Sequence, residues 1–375
     1  MLKRTVFNEE HEALRARVRQ YLTDHVVPDY PDWIQAGKPS QEFWRAMGDL
    51  GVLGIGAPVE HGGLEGTDFR HSAVVTEEIQ RLGLAIGGLR VHTDICMPYL
   101  ASYATEAQKQ HWLPRLCAGE CVVALGLSEP GAGSDLKAMS TRAERRGDVY
   151  VVNGAKTFIS NGAAADLVIL AVKTAPELGR KGISLLLVDS STPGFQRGRK
   201  LDKLGLASQD LAELAFTDME VPVSCLLGEE NRGFEYLTAN LAHERLSIAV
   251  NSQAAAVAAL DWTIEALRGT DPDQDAKFTL AACATEVAAG QALVDQSINQ
   301  HVAGELAVAD AALLKLFCTE LQGRVIDRCL SLHDPAMAYR ADSRIGHAYL
   351  DGRVSRIYAG SSEIMKVIVS QNLGL

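Results

Sequence analysis

The sequence predicts an α+β protein with a helical N-terminal domain, a middle β domain read as a small barrel or sandwich, and a C-terminal four-helix bundle. Three observations carry this expectation. Apolar residues recur at helical spacing from about residue 8 to residue 120. Near Cys121 the pattern changes to short apolar runs separated by Gly, Pro, Asp and Ser. After Gly228 long helical patterns return. The domain boundaries read from these changes are 1–120, 121–228 and 229–375.

Taken in order, Leu14, Val18, Tyr21 and Leu22 form one apolar helix face, which Pro28 and Pro31 are expected to end. Phe43, Met47 and Leu50 form the next, stopped by Gly51. GIGAPVEHGGLEG is a glycine-rich connector. Helical spacing resumes over Val74–Leu82 and from Pro98 to Leu116. In the middle region Asp148 to Ile159 alternates around Asn153-Gly154, a two-residue hairpin signal, and Asn161-Gly162 is a second candidate turn. Leu167–Val172, Ile183–Val188 and Leu214–Phe216 read as strands. One long helix is expected over Phe234–Arg268, ended by Gly269, with two more over Lys277–Val302 and Ala309–Leu332. A last helix from Arg344 is interrupted at Ala359-Gly360-Ser361-Ser362.

The 375 residues exceed what one simple core fills, and 47% hydrophobic with 22% charged residues is a globular composition. A net charge of −11 without a Lys/Arg-rich run argues against a nucleic-acid partner. No apolar run is long enough for a membrane span. The N-terminus reads as a charged amphipathic helix without a signal-peptide core, and Cys96, Cys117, Cys121, Cys225, Cys283, Cys318 and Cys329 contain no CxxC. Buried, reduced thiols in a cytoplasmic protein follow as the expectation.

Two places carry candidate chemistry. LGLSEPGAGSD, Leu125 to Asp135, turns a short strand into a bend with little side-chain bulk, where Ser128, Ser134 and peptide N–H groups are available to a flat ring or an extended arm. The alternative is an ordinary glycine-rich surface turn. In the long helix, Leu237, Leu241, Glu244 and Ile248 share one face, so a carboxylate interrupts an apolar stripe. Burial there raises a carboxyl pKa toward neutrality, as a general base requires. The alternative is a structural Glu paired with an arginine from another helix. Arg245 is poorly placed for that, because adjacent helical residues diverge.

SEPGAGSD followed by NGAKTFISNG resembles the flavin-binding signature of the acyl-CoA dehydrogenase family. QKQHWLPRLCAGE before it, STPGF and KLGL after it, and IYAGSSEIMK near the end extend the resemblance over most of the chain. It implies the family's α–β–α fold, with FAD between the β domain and the C-terminal bundle. It also implies dehydrogenation of an acyl thioester, on CoA or an acyl carrier protein, to the trans-2-enoyl product. Electrons would pass to an electron-transferring flavoprotein. A homodimer or homotetramer is implied, and a heteromer is the variant.

The family places its base either in the C-terminal tyrosine-x-glycine loop or in the long helix. Here the loop reads Tyr358-Ala359-Gly360, and Glu244 stands where the isovaleryl and long-chain branches carry theirs. By the same resemblance the Ala359 N–H and a flavin ribityl hydroxyl would hold the thioester oxygen. Leu125, Leu127 and Ser128 would line the isoalloxazine, with Phe158 and Ser160 on its other side. Phe158 as a core aromatic is the alternative reading. Ser361 and Glu363 would touch flavin; Ser134, Ala242, Arg245 and Gly360 would contact substrate.

Two family features are missing. ALRGTDPDQDAKF lacks the expected Phe-Gly pair, Gln274 alone standing for a later glutamine. Ser331 and Asp334-Pro335 replace a glutamine and a double glycine, and Tyr339 is kept. In the family these features hold the ADP half of a neighbouring subunit's flavin, which glycine N–H groups and arginine favour and an aspartate and a proline do not. Four readings follow: a homo-oligomeric dehydrogenase with altered FAD binding, one subunit of a heteromer, a flavin oxidase or monooxygenase on the same scaffold, and a degenerate structural subunit.

Overall fold

The computed structural model describes residues 3–340 and 342–375. The N-terminal helices are α1 (Glu9–Tyr21), α2 (Val27–Ala36), α3 (Gln41–Asp49), α4 (Phe69–Arg81), α5 (Gly87–Arg90), α6 (Met97–Tyr103) and α7 (Glu106–Cys117). Side chains of Asn8, Ser40, Asp68 and Thr105 accept from backbone N–H groups of the first turns of α1, α3, α4 and α7. The prolines do not end the first helix as expected. A π-helical segment, Leu22–Val26, leads straight into α2, which seats Pro28 in its first turn and carries Pro31 inside. A first-turn proline lacks only an N–H that has no helical partner anyway. The stop comes at Gly37, with φ +68°.

Eight strands form one sheet: β1 (Val123–Gly126), β2 (Arg142–Arg146), β3 (Val149–Ser160), β4 (Leu167–Lys173), β5 (Ile183–Asp189), β6 (Phe195–Lys200), β7 (Leu211–Pro222) and β8 (Leu226–Leu227). Their order is β6-β7-β3-β2-β4-β5-β8, with β1 parallel to β4. The period-2 pattern divides β4 between two cores. Ile169 and Ala171 pack with Trp112, Leu113 and Leu116 of α7, whereas Val168, Leu170 and Val172 pack with Val152, Leu214 and Phe216 inside the β domain.

Asn153-Gly154 is not a hairpin turn. β3 runs through it, and the register against β7 shifts there, which makes it a bulge. Asn153 spends its amide on β7, donating to and accepting from Asp218. Gly154, at φ +153°, lies so close to Thr141 that a Cβ would sit 2.5 Å from its Oγ1. The chain reverses instead at Gly147, between β2 and β3, and again after Asn161 at φ +61°.

The C-terminal bundle is built from α8 (Gly233–Leu267), α9 (Gln274–Val302), α10 (Val308–Ser331), the short α11 (Pro335–Ala338), α12 (Arg344–Gly352) and α13 (Ser362–Asn372). Every residue of α8 from Glu244 to Ala256 is buried, so this stretch is enclosed all round rather than on one face. All seven cysteines are free; six are buried, whereas Cys225 is only half-buried, between the β7 end and β8. Among the described residues no helix is long and apolar enough to cross a membrane.

Where the glycine-rich bend leaves β1, a buried ion pair fixes it. Lys156 Nζ lies 2.8 Å from Glu129 Oε1, and both side chains are almost wholly inaccessible. Removing one partner leaves a buried charge unmatched, so Lys156→Met is expected to lower unfolding free energy in urea by about 3–5 kcal/mol. The Glu129→Gln/Lys156→Met double variant is expected to lose less than Lys156→Met alone.

Candidate active site

Glu244 is buried in the middle of α8. Its one protein hydrogen-bond partner among the described residues is Tyr99 of α6, whose Oη donates to Oε1 at 3.0 Å. Burial pushes the carboxyl up to about 7; the Tyr99 hydrogen bond and the Arg245 charge pull weakly the other way. No arginine pairs with it. Arg245 turns away, as adjacent helical residues do, and donates to the carbonyl of Val308. The structural alternative raised from sequence, a Glu–Arg pair between helices, is therefore not what the fold contains.

One turn further along α8, Ser247 donates to Asp94, a buried carboxylate that also accepts from Ser72 and Thr93. Neither Tyr99 nor Asp94 was picked out from sequence. Both lie in or next to the π-helical Val91–Cys96 segment, where helical periodicity is irregular.

The loop Tyr358–Ala359–Gly360 enters the site with Ala359 at φ +48° and Gly360 at φ +91°. Lys315 of α10, fully buried, holds it by donating from Nζ to the carbonyls of Tyr358 (3.0 Å) and Gly360 (2.6 Å). Burial lowers this lysine to about 8, with the nearby Arg245 charge acting in the same direction. Lys315 was also missed. A lysine in the apolar run AALLKLF was its only sequence signal.

The opposite wall comes from the β domain. Leu125, Leu127 and Ser128 are half-buried, and the Ser128 carbonyl accepts from the N–H of Thr157, beside Phe158. Phe158 is 65% exposed with φ +58°, which rules out the core-aromatic alternative. Ser160 accepts from Gln209, whose own Oε1 is buried and unpartnered. Half-exposed apolar side chains, a solvent-facing aromatic and hydroxyls on one face, with an orphaned acceptor beside them, suit a flat heteroaromatic ring with N–H and carbonyl edges. Ala242 and Gly360 are half-buried near Glu244 and Lys315. Ser361 caps α13, and Glu363, Ser134 and Phe158 are solvent-exposed. Ala242, Glu244 and Arg245 thus belong to α8 and Gly360 to the loop held by Lys315, whereas Leu125 to Ser128, Phe158 and Ser160 belong to the β domain, and Ser134 and Glu363 are exposed.

Two clefts border α8 on either side of Glu244. One is an open depression lined by Tyr103, Arg232 and Tyr236. Tyr103 and Tyr236 stack there with centroids 4.1 Å apart. The other is a narrow cleft lined by Gly87, Arg90, Asn251 and Tyr358 among others.

A helical N-terminal domain, a middle β domain and a C-terminal helical bundle are the architecture of a flavin-dependent dehydrogenase. Family models for the N-terminal, middle and C-terminal domains of acyl-CoA dehydrogenase match residues 8–120, 124–219 and 231–374. The long-chain specific acyl-CoA dehydrogenase of Sus scrofa is 38% identical over 99% of this chain and 88% of its own. A crystal structure of an acyl-CoA dehydrogenase from Geobacillus kaustophilus superposes with a TM-score of 0.96 at 42% identity, covering 100% of both chains. A Mycobacterium smegmatis glutaryl-CoA dehydrogenase in complex with FADH2 superposes at 0.90 and 25% identity, covering 98% and 95%. A structure described as the electron-transferring flavoprotein of Acidaminococcus fermentans superposes at 0.93 and 28% identity, covering 98% of each chain. The chain belongs to the acyl-CoA dehydrogenase family, and its activity is FAD-dependent dehydrogenation of an acyl-CoA.

The raised carboxyl gives two measurable consequences. A carboxyl whose folded pKa lies above its unfolded value destabilises the fold as pH rises through the interval, here from 4.5 to about 7. Glu244→Gln, which carries no charge to bury, is therefore expected to match wild type near pH 4.5 and to be more stable above pH 7, by about 3 kcal/mol. Denaturant melts across that range check it. Tyr99→Phe removes a donor that favours the carboxylate, so the acid limb of the rate–pH profile is expected to move to higher pH.

Proposed function

We propose that Glu244 removes the α-proton of the bound acyl thioester and that the product is the trans-2-enoyl thioester. The observation that carries this reading is the burial of Glu244 with only a phenol for company: its carboxyl is poised near neutrality, where a general base is most effective. The flavin, when bound, supplies the acceptor for the β-hydrogen as hydride. Everything else is done by the chain. Removing the α-proton moves negative charge onto the thioester oxygen, so a donor there is worth more in the transition state than in the ground state. The N–H of Ala359 is that donor, and Lys315 is a positioning residue: by holding the Tyr358 carbonyl, which shares a planar peptide unit with that N–H, and the Gly360 carbonyl beyond, it fixes which way the Ala359 N–H points. Leu125, Leu127, Ser128, Phe158, Ser160, Ser361 and Glu363 hold the flavin, and Ser134, Ala242, Arg245 and Gly360 hold the substrate. The carrier arm lies in the cleft of Tyr103 and Tyr236, and the acyl tail lies in the cleft of Gly87 and Asn251, so that the thioester falls at Glu244 between them.

An electron-transferring flavoprotein takes the electrons, in keeping with the family. The protein acts in the cytoplasm; its free cysteines fit a reducing compartment. A homodimer or homotetramer is the first assembly to test, and a heteromer the second. The observation favouring the second is Asp334, whose carboxylate caps α11 at the N–H of Ala336. It places negative charge and a proline at the segment where the family keeps two glycines against a pyrophosphate.

Anaerobic bleaching of the flavin band by a panel of acyl-CoAs tests the reading. Wild type is expected to bleach with at least one thioester, and Glu244→Gln is expected to lose the bleaching rate by three orders of magnitude or more while keeping its flavin, on the scale of a lost general base and its positioning. Bleaching by Glu244→Gln at the wild-type rate sinks the assignment. Protein purified alone without flavin, regaining it only with a second subunit, decides for the heteromer. Lys315→Met is expected to lower kcat by about ten- to a hundred-fold with KM little changed, the pattern of a donor misplaced in the transition state.

A further inference from the structure

The cleft assigned above to the acyl tail is only partly apolar: Ile79, Leu84, Ile86, Ala255 and Trp262 line it on one hand, and polar groups on the other. Gln80, Arg90, Asn251, Gln322, Arg344 and Asp351 all face it. Pockets for plain alkyl chains are lined mainly by apolar side chains, because each desolvated polar group left unpaired costs free energy.

Two of these groups lack partners. Arg90 ends α5 half-buried and makes no hydrogen bond or ion pair with any described residue. Gln322 is buried, and its Oε1 has no partner. The others are engaged. Gln80 donates to Asn251, Asp351 accepts from the N–H of Leu206, and Arg344 lies over the Trp262 ring. Asp351 is also pushed toward its neutral form by burial. Two guanidinium groups against one carboxyl leave the cleft net positive, with the unpaired charge on Arg90.

Its position relative to the chemistry follows from the helix. Asn251 is two turns beyond Glu244 on α8, on the same face and about 10 Å away along the axis. The facing segment runs in the opposite sense: Tyr99 stands over Glu244, Asp94 over Ser247, and Arg90 shares the cleft with Asn251. Tyr358, next to Ala359, closes the same cleft. A chain leaving the thioester along α8 therefore ends beside Arg90.

We propose that this enzyme selects acyl thioesters whose chain ends in a carboxylate, and that Arg90 receives that carboxylate. The proposal rests on Glu244 marking the α-carbon. It is tested on the flavin-loaded enzyme by anaerobic flavin reduction with octanoyl-CoA and with the CoA monothioester of octanedioic acid, compared as kcat/KM. The dicarboxylic substrate is expected to be preferred by roughly ten- to a hundred-fold, the range of a charge-assisted hydrogen bond. In Arg90→Gln, and in Arg90→Leu where it retains flavin, that ratio is expected to fall by about the same factor. Preference of wild type for octanoyl-CoA, or a ratio unchanged in Arg90→Gln, overturns the inference and leaves the dehydrogenase assignment standing. Failure of both eight-carbon thioesters to bleach the flavin overturns the inference, and failure of the whole acyl-CoA panel removes the Glu244 assignment with it.

Discussion

A buried ammonium group has to be met by acceptors, and in this protein the acceptors are backbone carbonyls of the loops that border the site. Lys156, from β3, reaches the carbonyl of Leu127 and the carboxylate of Glu129 in the glycine-rich bend. Lys315, from α10, reaches the carbonyls of Tyr358 and Gly360. Lys173, from β4, does the same for Lys137 just after the bend. Each of these loops needs an anchor to the body of the fold. A lysine inside the core supplies the anchor from a rigid strand or helix.

The same economy explains the state of Glu244. Glu244 sits where α8 is enclosed on all sides, so its charge has no water to solvate it and only one phenol to donate to it. The carboxyl therefore holds its proton more tightly than a free one, and the fold carries that cost. Its neighbour Arg245 does not relieve it, because the helix turns the two side chains apart. Asp94, a turn away, is treated in the opposite manner: three hydroxyls satisfy it, and it ties α8 to the N-terminal helices. Two buried carboxyls thus lie close together, one starved of donors and the other saturated.

The α–β–α order, the long helices and Glu244 were legible in the sequence because they rest on local regularities: period 3.6 in the helices, short apolar runs in the strands, and a charge interrupting an apolar stripe. Phe158 and Ser160 were singled out by the resemblance alone, since an aromatic in a strand reads equally well as core. The errors were also local. Asn153-Gly154 carries the residue types of a hairpin turn, but the bond between Asn153 and Asp218, sixty-five residues apart, makes it a bulge. Pro28 and Pro31 carry the sign of a helix stop, but a π-helical segment lets the chain run on.

What the sequence determined by itself was the family, the order of secondary structure and a carboxylate set into the apolar stripe of the long helix, since each is written in local motifs and spacing along the chain. The tertiary structure alone decided what surrounds those residues. Tyr99 meets Glu244 across 145 positions, Lys315 meets the Ala359 loop across more than forty, and Arg90 comes to lie beside Asn251. A pKa, the direction of an amide and the polarity of a cleft depend on which distant groups share a volume from which water is excluded, and spacing along a chain does not encode that.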